Sequence, residues 1–490
     1  MTEPGSTAVL LIVFGALMAA SVFFSRALNR LGVPVVLLFL ALGILGGSEG
    51  LGGIEFNNYE LAFRLGTIAL VLILFDGGLN TAHSSLRRSI LPAGILATVG
   101  VLGTAALLAV IARLLGLDWK YAILLGAIVS STDAAAVFAV LRGGNIRVKE
   151  RVRSTLEVES CVNDPMAVIL TVAAVQFAST QTPIGLQLLV EIPVQLIIGA
   201  IVGLAVGYGT RWLLNVMTIS TGGLFPVATL ASAFLAYGLA TLAYGSGFLS
   251  VFVAAAVLGN GPLPYKAGLT RVHDAIAWFS QVSMFLMLGL LVYPSQLIPV
   301  SGTGLLLGLA LAFLARPIVV TLCLLPFRWP WREVSFTSWV GIRGAVPIVL
   351  ATFPVMAGIP GSEQLFHLVF FVVVISALIT GVSLVPLTKR MKLAEPNAPI
   401  SPVALEMNSL RRMHGEVRVY HIDPSLAVCG VRLSQIRFPE ESAAILIVRG
   451  DHLLAARGNT TLEAGDHVYV FCRPEDRPFI ELLFGQTISQ

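Results

Sequence analysis

Charge is scarce in this chain. Only 12 % of its 490 residues are Asp, Glu, Lys or Arg, 56 % are hydrophobic, and the mean hydropathy is +0.87. A soluble domain carries about 25 % charged residues, so the composition describes a polytopic membrane protein. The formal excess of +4 is small and dispersed, which gives no footing for nucleic acid as a partner. Cysteine is scarcer still. Cys161, Cys323, Cys429 and Cys472 lie far apart with no CxxC spacing, which speaks against both a disulfide framework and a zinc site. Cys161 and Cys323 fall in apolar runs and read as small packing residues. His83, His273 and His367 have no metal-ligand spacing and read as solvated or capping groups in loops or at span ends. The chain has no GxxxxGK[ST], so nothing supports pumping driven by ATP. The first apolar run, from about Ser6 to Phe24, lacks a basic leader and reads as a retained span.

What the chain has in quantity is long apolar runs. Thirteen spans fit, near 6–25, 33–48, 60–80, 90–115, 119–141, 155–178, 184–211, 222–244, 247–260, 274–293, 303–325, 333–353 and 364–388. Alternate loops collect the basic residues: Arg26 and Arg30, Arg87 and Arg88, five between Arg142 and Arg153, Arg211, Lys266 and Arg271, Arg328 and Arg332, and Lys389, Arg390 and Lys392. The opposite loops hold little beyond Arg64, Arg113 and Lys120. The positive-inside rule then puts the N-terminus outside and the C-terminus in the cytoplasm. Trp119 and Trp331 fall near span ends, as interfacial anchors do.

Inside these runs sit a few residues that are expensive at membrane depth. The stretch ESCVNDPMA, Glu159 to Ala167, places Glu159, Asn163 and Asp164 in the middle of the sixth span. A charge there costs about 2.5–3.5 kcal/mol on insertion scales, so such residues usually line an ion or proton path. Ser160 and Asp164 share one helix face, Glu159 and Asn163 the adjacent one. Pro165 cannot donate its backbone N–H and predicts a local distortion. In the fifth span Ser130, Ser131, Thr132 and Asp133 stand in a row, which suits an unwound segment able to hold a cation. The third span carries Asp76 followed by Gly77 and Gly78. In the twelfth, Arg343 lies between Gly341 and Gly344 with Pro347 just after. A permanent guanidinium charge at that depth needs a carboxylate, and Glu159 is the candidate partner; Glu157, the rival, lies nearer the cytoplasmic end. Two interrupted spans in opposite halves point to an inverted-repeat transporter.

Two other strings carry plainer meanings. Val206 to Gly209 spells a potassium-filter tetrapeptide, but once only and without a preceding re-entrant pore helix. Gly199, Gly203 and Gly207 are spaced for tight helix packing. After Lys392 the composition changes. A Pro-rich polar linker over 392–412 leads to a soluble α+β segment over 413–490, with strands at Glu416–Tyr420, Ala443–Val448 and His467–Phe471 and a closing helix at Pro478–Phe484. A core that small gains from dimerisation.

Taken jointly, FDGG at Phe75–Gly78, STD at Ser131–Asp133, ESCVND at Glu159–Asp164 and GIRGAV at Gly341–Val346 resemble the NhaP-type monovalent cation/proton antiporters across all the spans, 1–391. The resemblance implies an all-α membrane fold of about 13 helices with an inverted repeat and two crossed broken helices, assembled as a homodimer in a bacterial inner membrane. It implies that Asp164, Ser160, Asp76 and the Thr132 backbone coordinate the cation, that Asp133 holds a water or the helix crossing, that Asn163 supports the site, and that Glu159 pairs with Arg343. Many members carry Glu at the position of Asp76. An Asn-Asp pair such as Asn163–Asp164 resembles the electroneutral branch. The C-terminal segment resembles the RCK-C (TrkA-C) regulatory domain of potassium transporters and channels, which favours K+ over Na+ and implies an unidentified small-molecule regulator; no cofactor is expected.

Burial disfavours a bare charge on Asp164, so a proton and a cation compete for one site, and the empty charged site is the costly state. Rocking of one bundle exposes that site alternately. Two rivals predict other things. A ligand-gated potassium channel or uniporter with an RCK-like domain would need a filter. A membrane-embedded hydrolase built on Ser160 and Asp164 would need a base, and no histidine accompanies them.

Overall fold

A backbone at membrane depth has no water to bond, so apolar runs of this length close their hydrogen bonds internally as helices. The structure, a computed structural model, describes residues 3–31, 34–144, 146–180, 188–216, 221–261, 263–395, 415–450, 452–473 and 475–485. Most of the expected linker, 396–412, lies outside the described residues. The chain divides into two units. One comprises Met1–Val216, Pro226–Gly261 and Thr270–Glu395; the other comprises Met217–Phe225, Pro262–Leu269 and Pro396–Gln490.

The first unit is helical. It opens with α1 (Glu3–Leu31), α2 (Val35–Gly46) and α3 (Tyr59–Asn80). Then α4 (His83–Ile95) runs through a π segment, Leu96–Gly100, into α5 (Val101–Leu114). The next apolar run is split into α6 (Trp119–Ile128) and α7 (Ala134–Gly143), and α8 (Glu150–Thr180) follows. After α9 (Leu188–Val216), α10 (Leu224–Leu242), α11 (Gly247–Gly259) and α12 (Lys266–Leu290), the same order returns. Helix α13 (Pro294–Ala310) runs through a π segment, Leu311–Ala315, into α14 (Arg316–Leu324); the next run is split into α15 (Trp331–Trp339), α16 (Ala345–Leu350) and α17 (Thr352–Met356); and α18 (Ser362–Arg390) is long and unbroken. The short strand β1 (Arg147–Val148), between α7 and α8, pairs antiparallel with β2 (Ala394–Glu395) just past α18. Among the described residues, seven helices are long and apolar enough to cross a membrane: 59–80, 89–114, 150–180, 190–216, 224–242, 294–327 and 362–390.

Several expectations need correction. Helix α8 passes Pro165 without a break. One missing N–H costs one intrahelical bond, which membrane helices tolerate when neighbours pack around them. Helix α12 begins at Lys266, earlier than the expected 274, so His273 lies inside it. His273 is 1 % exposed and shares a 2.8 Å hydrogen bond with Thr229 Oγ1. His367 is equally buried inside α18, where Nδ1 meets the Glu363 carbonyl at 2.7 Å. Neither is a solvated group. The glycine row behaves as expected: a Cβ on Gly199, Gly203 or Gly207 of α9 would come within 2.5–2.9 Å of the α11 side, against Ser246, Ser250 and Ala254. Helix α9 continues through Val206–Gly209, so that string is ordinary helix.

In the second unit the strands β3 (Glu416–His421), β4 (Ala443–Arg449), β5 (His452–Ala455) and β6 (His467–Cys472) form an antiparallel sheet in the order β3-β6-β4-β5. Central β6 is buried along nearly its whole length, as its run of Val, Tyr, Val and Phe requires. A bulge lies between Ala444 and Leu446. Helix α19 (Arg477–Phe484) covers one sheet face with Ile480 and Phe484, which pack with Tyr420, Ile447 and Val468. Each such fully buried side chain contributes about 1.5–3 kcal/mol.

Candidate functional site

The two interruptions meet. Residues Val129–Asp133 are non-helical because hydroxyl side chains there compete for the backbone: Ser130 Oγ donates to the Ala127 carbonyl at 2.7 Å. Residues Val340–Gly344 are non-helical where Gly341 and Gly344 loosen the chain. Asp133 N donates to Ile342 O at 2.8 Å, joining one break to the other. A Cβ on Gly344 would fall on the Asp133 carboxylate, so only glycine permits that approach.

A broken helix exposes unpaired ends, and the charged residues here answer them. Asp133 caps α7, accepting from Ala136 N at 3.0 Å. Its negative charge sits where the α7 dipole is positive. Arg343 does the converse. Its Nε donates to Val129 O at 2.9 Å and its Nη1 to Gly341 O at 2.8 Å, the carbonyls just past the C-terminal ends of α6 and α15.

Helix α8 clamps the first break. Ser160 Oγ donates to Thr132 O at 3.0 Å and accepts from Ala134 N at 3.2 Å. Asn163 Nδ2 donates to Thr132 Oγ1 at 2.7 Å and reaches Thr132 O at 3.5 Å. Asp164 follows on the same helix, half-buried, with Asp133 as its charged neighbour and Ser131 beside it. The buried Ser131 hydroxyl faces the Asp164 carboxylate, and Asn163 Oδ1 is buried without a hydrogen-bond partner.

The expected Glu159–Arg343 pair is not formed. Glu159 binds Arg316, Oε1 to Nη1 at 3.0 Å and Oε2 to Nη2 at 3.3 Å, with the two side chains 2 % and 6 % exposed. Arg316 also donates to Val340 O at 3.4 Å, so it ties α8 to the second break. Arg343 is diverted by the helix-end carbonyls, and its Nη2 has no hydrogen-bond partner. Glu157 pairs with Arg153 at 2.9 Å. The sequence did hold a signal for Arg316: it is a lone charge within the apolar run 303–325.

The structure thus brings Asp164, Asp133, Ser160, Thr132 and Asn163 together and adds Ser131. Asp76 belongs to a different set of contacts. It accepts from Asn80 Nδ2 at 3.1 Å and has Asp274 of α12 as its charged neighbour. Phe75, next to it, packs on the His273 ring with centroids 4.9 Å apart.

Residues 13–390 match the family model described as sodium/hydrogen exchanger, transmembrane, and residues 417–484 match the TrkA-C domain. The K(+)/H(+) antiporter NhaP of Alkalimonas amylolytica is 39 % identical over 482 residues, 98 % of this chain and 84 % of that protein. The K(+)/H(+) antiporter NhaP2 of Shewanella oneidensis is 39 % identical over 486 residues, covering 97 % of this chain and 83 % of that protein. The fold is that of the sodium proton antiporter MjNhaP1 from Methanocaldococcus jannaschii, with a TM-score of 0.67 at 24 % identity over 78 % of this chain and 99 % of that one. With two breaks joined from Asp133 to Ile342 beside Asp164, and a family match over most of its length, the chain belongs to the sodium/hydrogen exchangers, the membrane cation/proton antiporters.

Proposed function

We propose that the chain exchanges one monovalent cation, K+ in preference to Na+, for one proton at Asp164. The carrying observation is how the buried carboxylates are committed. Arg316 neutralises Glu159, and the α7 end holds Asp133, while Asp164 has no counter-ion among the described residues and faces the Ser131 hydroxyl with Asp133 as its charged neighbour. A single uncommitted carboxylate holds either a proton or a cation, never neither at low cost. The cation is held by Asp164, Ser131 and Asn163 Oδ1, with Ser160 and Thr132 as the clamp that keeps the break in place. Asn163 is neutral and adds no second proton step, which makes the exchange electroneutral. The 39 % identical relatives, both K(+)/H(+) antiporters by name, support K+.

The repeated order of π-interrupted helix, split helix and unbroken helix supports an inverted repeat and a count of thirteen spans. The basic loops support a cytoplasmic C-terminus in a bacterial inner membrane, and the family implies a homodimer. The C-terminal domain carries a small-molecule regulator. Everted vesicles test the exchange. Added K+ should dissipate an imposed proton gradient faster than Na+, at a rate indifferent to membrane potential. Asp164→Asn should abolish exchange while leaving the protein folded. Retained exchange in that variant would remove Asp164 from the mechanism, and a rate that follows the potential would overturn electroneutrality.

A further inference from the structure

A cavity of about 460 Å3 opens on the first unit between α14, α15 and α18. Its rim holds Trp331, the first residue of α15, and Arg390, the last of α18. Its far end holds Trp339 and Ser383, joined by a 2.8 Å hydrogen bond from Trp339 Nε1 to Ser383 Oγ. From rim to far end α15 rises about 12 Å at 1.5 Å per residue, so the cavity enters well below the level of its basic rim. Pro317 and Leu387 line it with apolar surface. Leu322, Leu325 and Trp331 beside it are 64 %, 68 % and 69 % exposed, as side chains facing lipid are.

Two observations say what occupies it. The first is charge. Arg390 is exposed at the mouth, and exposed Lys389 and Arg332 are the sequence neighbours of the rim residues Arg390 and Trp331. The acid on the same stretch of α15, Glu333, is already compensated by Lys149 at 3.5 Å and Arg151 at 4.0 Å. The rim is therefore positive. The second is the lining, apolar at Pro317, Leu387 and Trp339 with exposed Leu322 and Leu325 beside it. An apolar interior and a basic mouth at the membrane surface match a molecule with an acyl chain and an anionic head.

We propose that this cavity binds an anionic phospholipid, one acyl chain lying against Pro317, Leu387 and Trp339 and its phosphate held by Arg390. Trp339 immediately precedes the second break, Val340–Gly344. A seated chain therefore braces α15 against α18 one residue from the segment that carries Arg343. The binding itself does not depend on which cation is exchanged.

The test uses the full-length protein in phosphatidylcholine vesicles doped with lipid brominated in its acyl chains, read as quenching of tryptophan fluorescence. Subtracting the Trp339→Phe protein isolates Trp339. Brominated phosphatidylglycerol should quench Trp339 at a lower mole fraction than brominated phosphatidylcholine. Arg390→Gln should move the phosphatidylglycerol curve about fivefold, the loss of one basic residue's pull on an anionic headgroup, and leave the phosphatidylcholine curve unmoved. Arg390 is exposed, so this variant folds; Ser335→Leu, which fills the cavity, should suppress quenching by both lipids. Identical curves for the two lipids, or a phosphatidylglycerol curve indifferent to Arg390→Gln, would overturn the site. So would relief of quenching by inorganic phosphate, which would mean a free anion is recognised, or a Trp339 that neither lipid reaches because a second copy covers it.

Discussion

Two arginines lie in the apolar interior near Glu159, and they do different work. Arg316 holds the carboxylate with both of its Nη atoms, while Arg343 holds carbonyls at the ends of two half-helices. Removing one partner of a buried pair leaves the other uncompensated, at a cost of about 3–5 kcal/mol. Glu159→Ala and Arg316→Ala should each lower the melting temperature in detergent markedly, and the double variant should lose less than the sum. The same cycle between Glu159 and Arg343 should show the smaller coupling; the reverse ranking would reinstate the pair the sequence suggests. The depth of each charge was legible, because a charge in an apolar run announces itself. The pairing was not, since a single sequence offers several buried cations to one carboxylate and no distance between them. Ser131 was visible as one hydroxyl in a polar row, but its place facing Asp164 emerges only once Ser160 and Asn163 are seen to hold its neighbour Thr132.

Among the elements, the breaks were readable and the π segments were not. Hydroxyls and a carboxylate in one run, and Gly-Ile-Arg-Gly in another, contradict an uninterrupted helix; Leu96–Gly100 and Leu311–Ala315 carry no such mark. The close approach of α9 to α11 was foreshadowed by glycine spacing, and it can be tested. Gly203→Leu forces a side chain into the backbone of Ser250 and should destabilise by about 1–3 kcal/mol, read as a lower melting temperature. Gly209→Leu, which meets nothing within 4 Å, should leave it unchanged. In the C-terminal sheet, His421 faces His467 across β3 and β6, ring centroids 5.0 Å apart. Burial, then the His467 charge, hold the His421 imidazole below its ordinary range, against the opposing pull of Asp423 and Asp466. The unfolded chain therefore binds the proton first as pH falls. Stability due to neutral His421 is complete above the ordinary value of 6.5 and declines as pH drops through it. Amide exchange over 415–450 in the full-length protein should quicken, relative to intrinsic rates, between pH 7.5 and about 5.5, and His421→Gln should flatten that dependence.

For the whole molecule, every intramembrane charge discussed lies before Lys392, and the TrkA-C match begins at Val417. A chain truncated after Met391 should still exchange cations for protons in vesicles, with a shifted pH profile or maximal rate at matched expression, because a regulatory domain biases only the balance of transporter states. Complete loss in a well-folded truncation would make the domain obligatory. That division was plain in the composition. The tie between halves was not: Glu159 and Arg316 stand 157 residues apart. It sets a timetable for biogenesis. At about 5–20 residues per second on the ribosome, the carboxylate of α8 emerges roughly 8–31 s before its counter-ion exists. Throughout that interval the nascent first half carries an orphan acid, to be kept protonated, shielded by the insertion machinery, or held near the lipid surface. The last helices to be made complete the electrostatics of the earlier ones, so an assembly checkpoint is written into the order of synthesis.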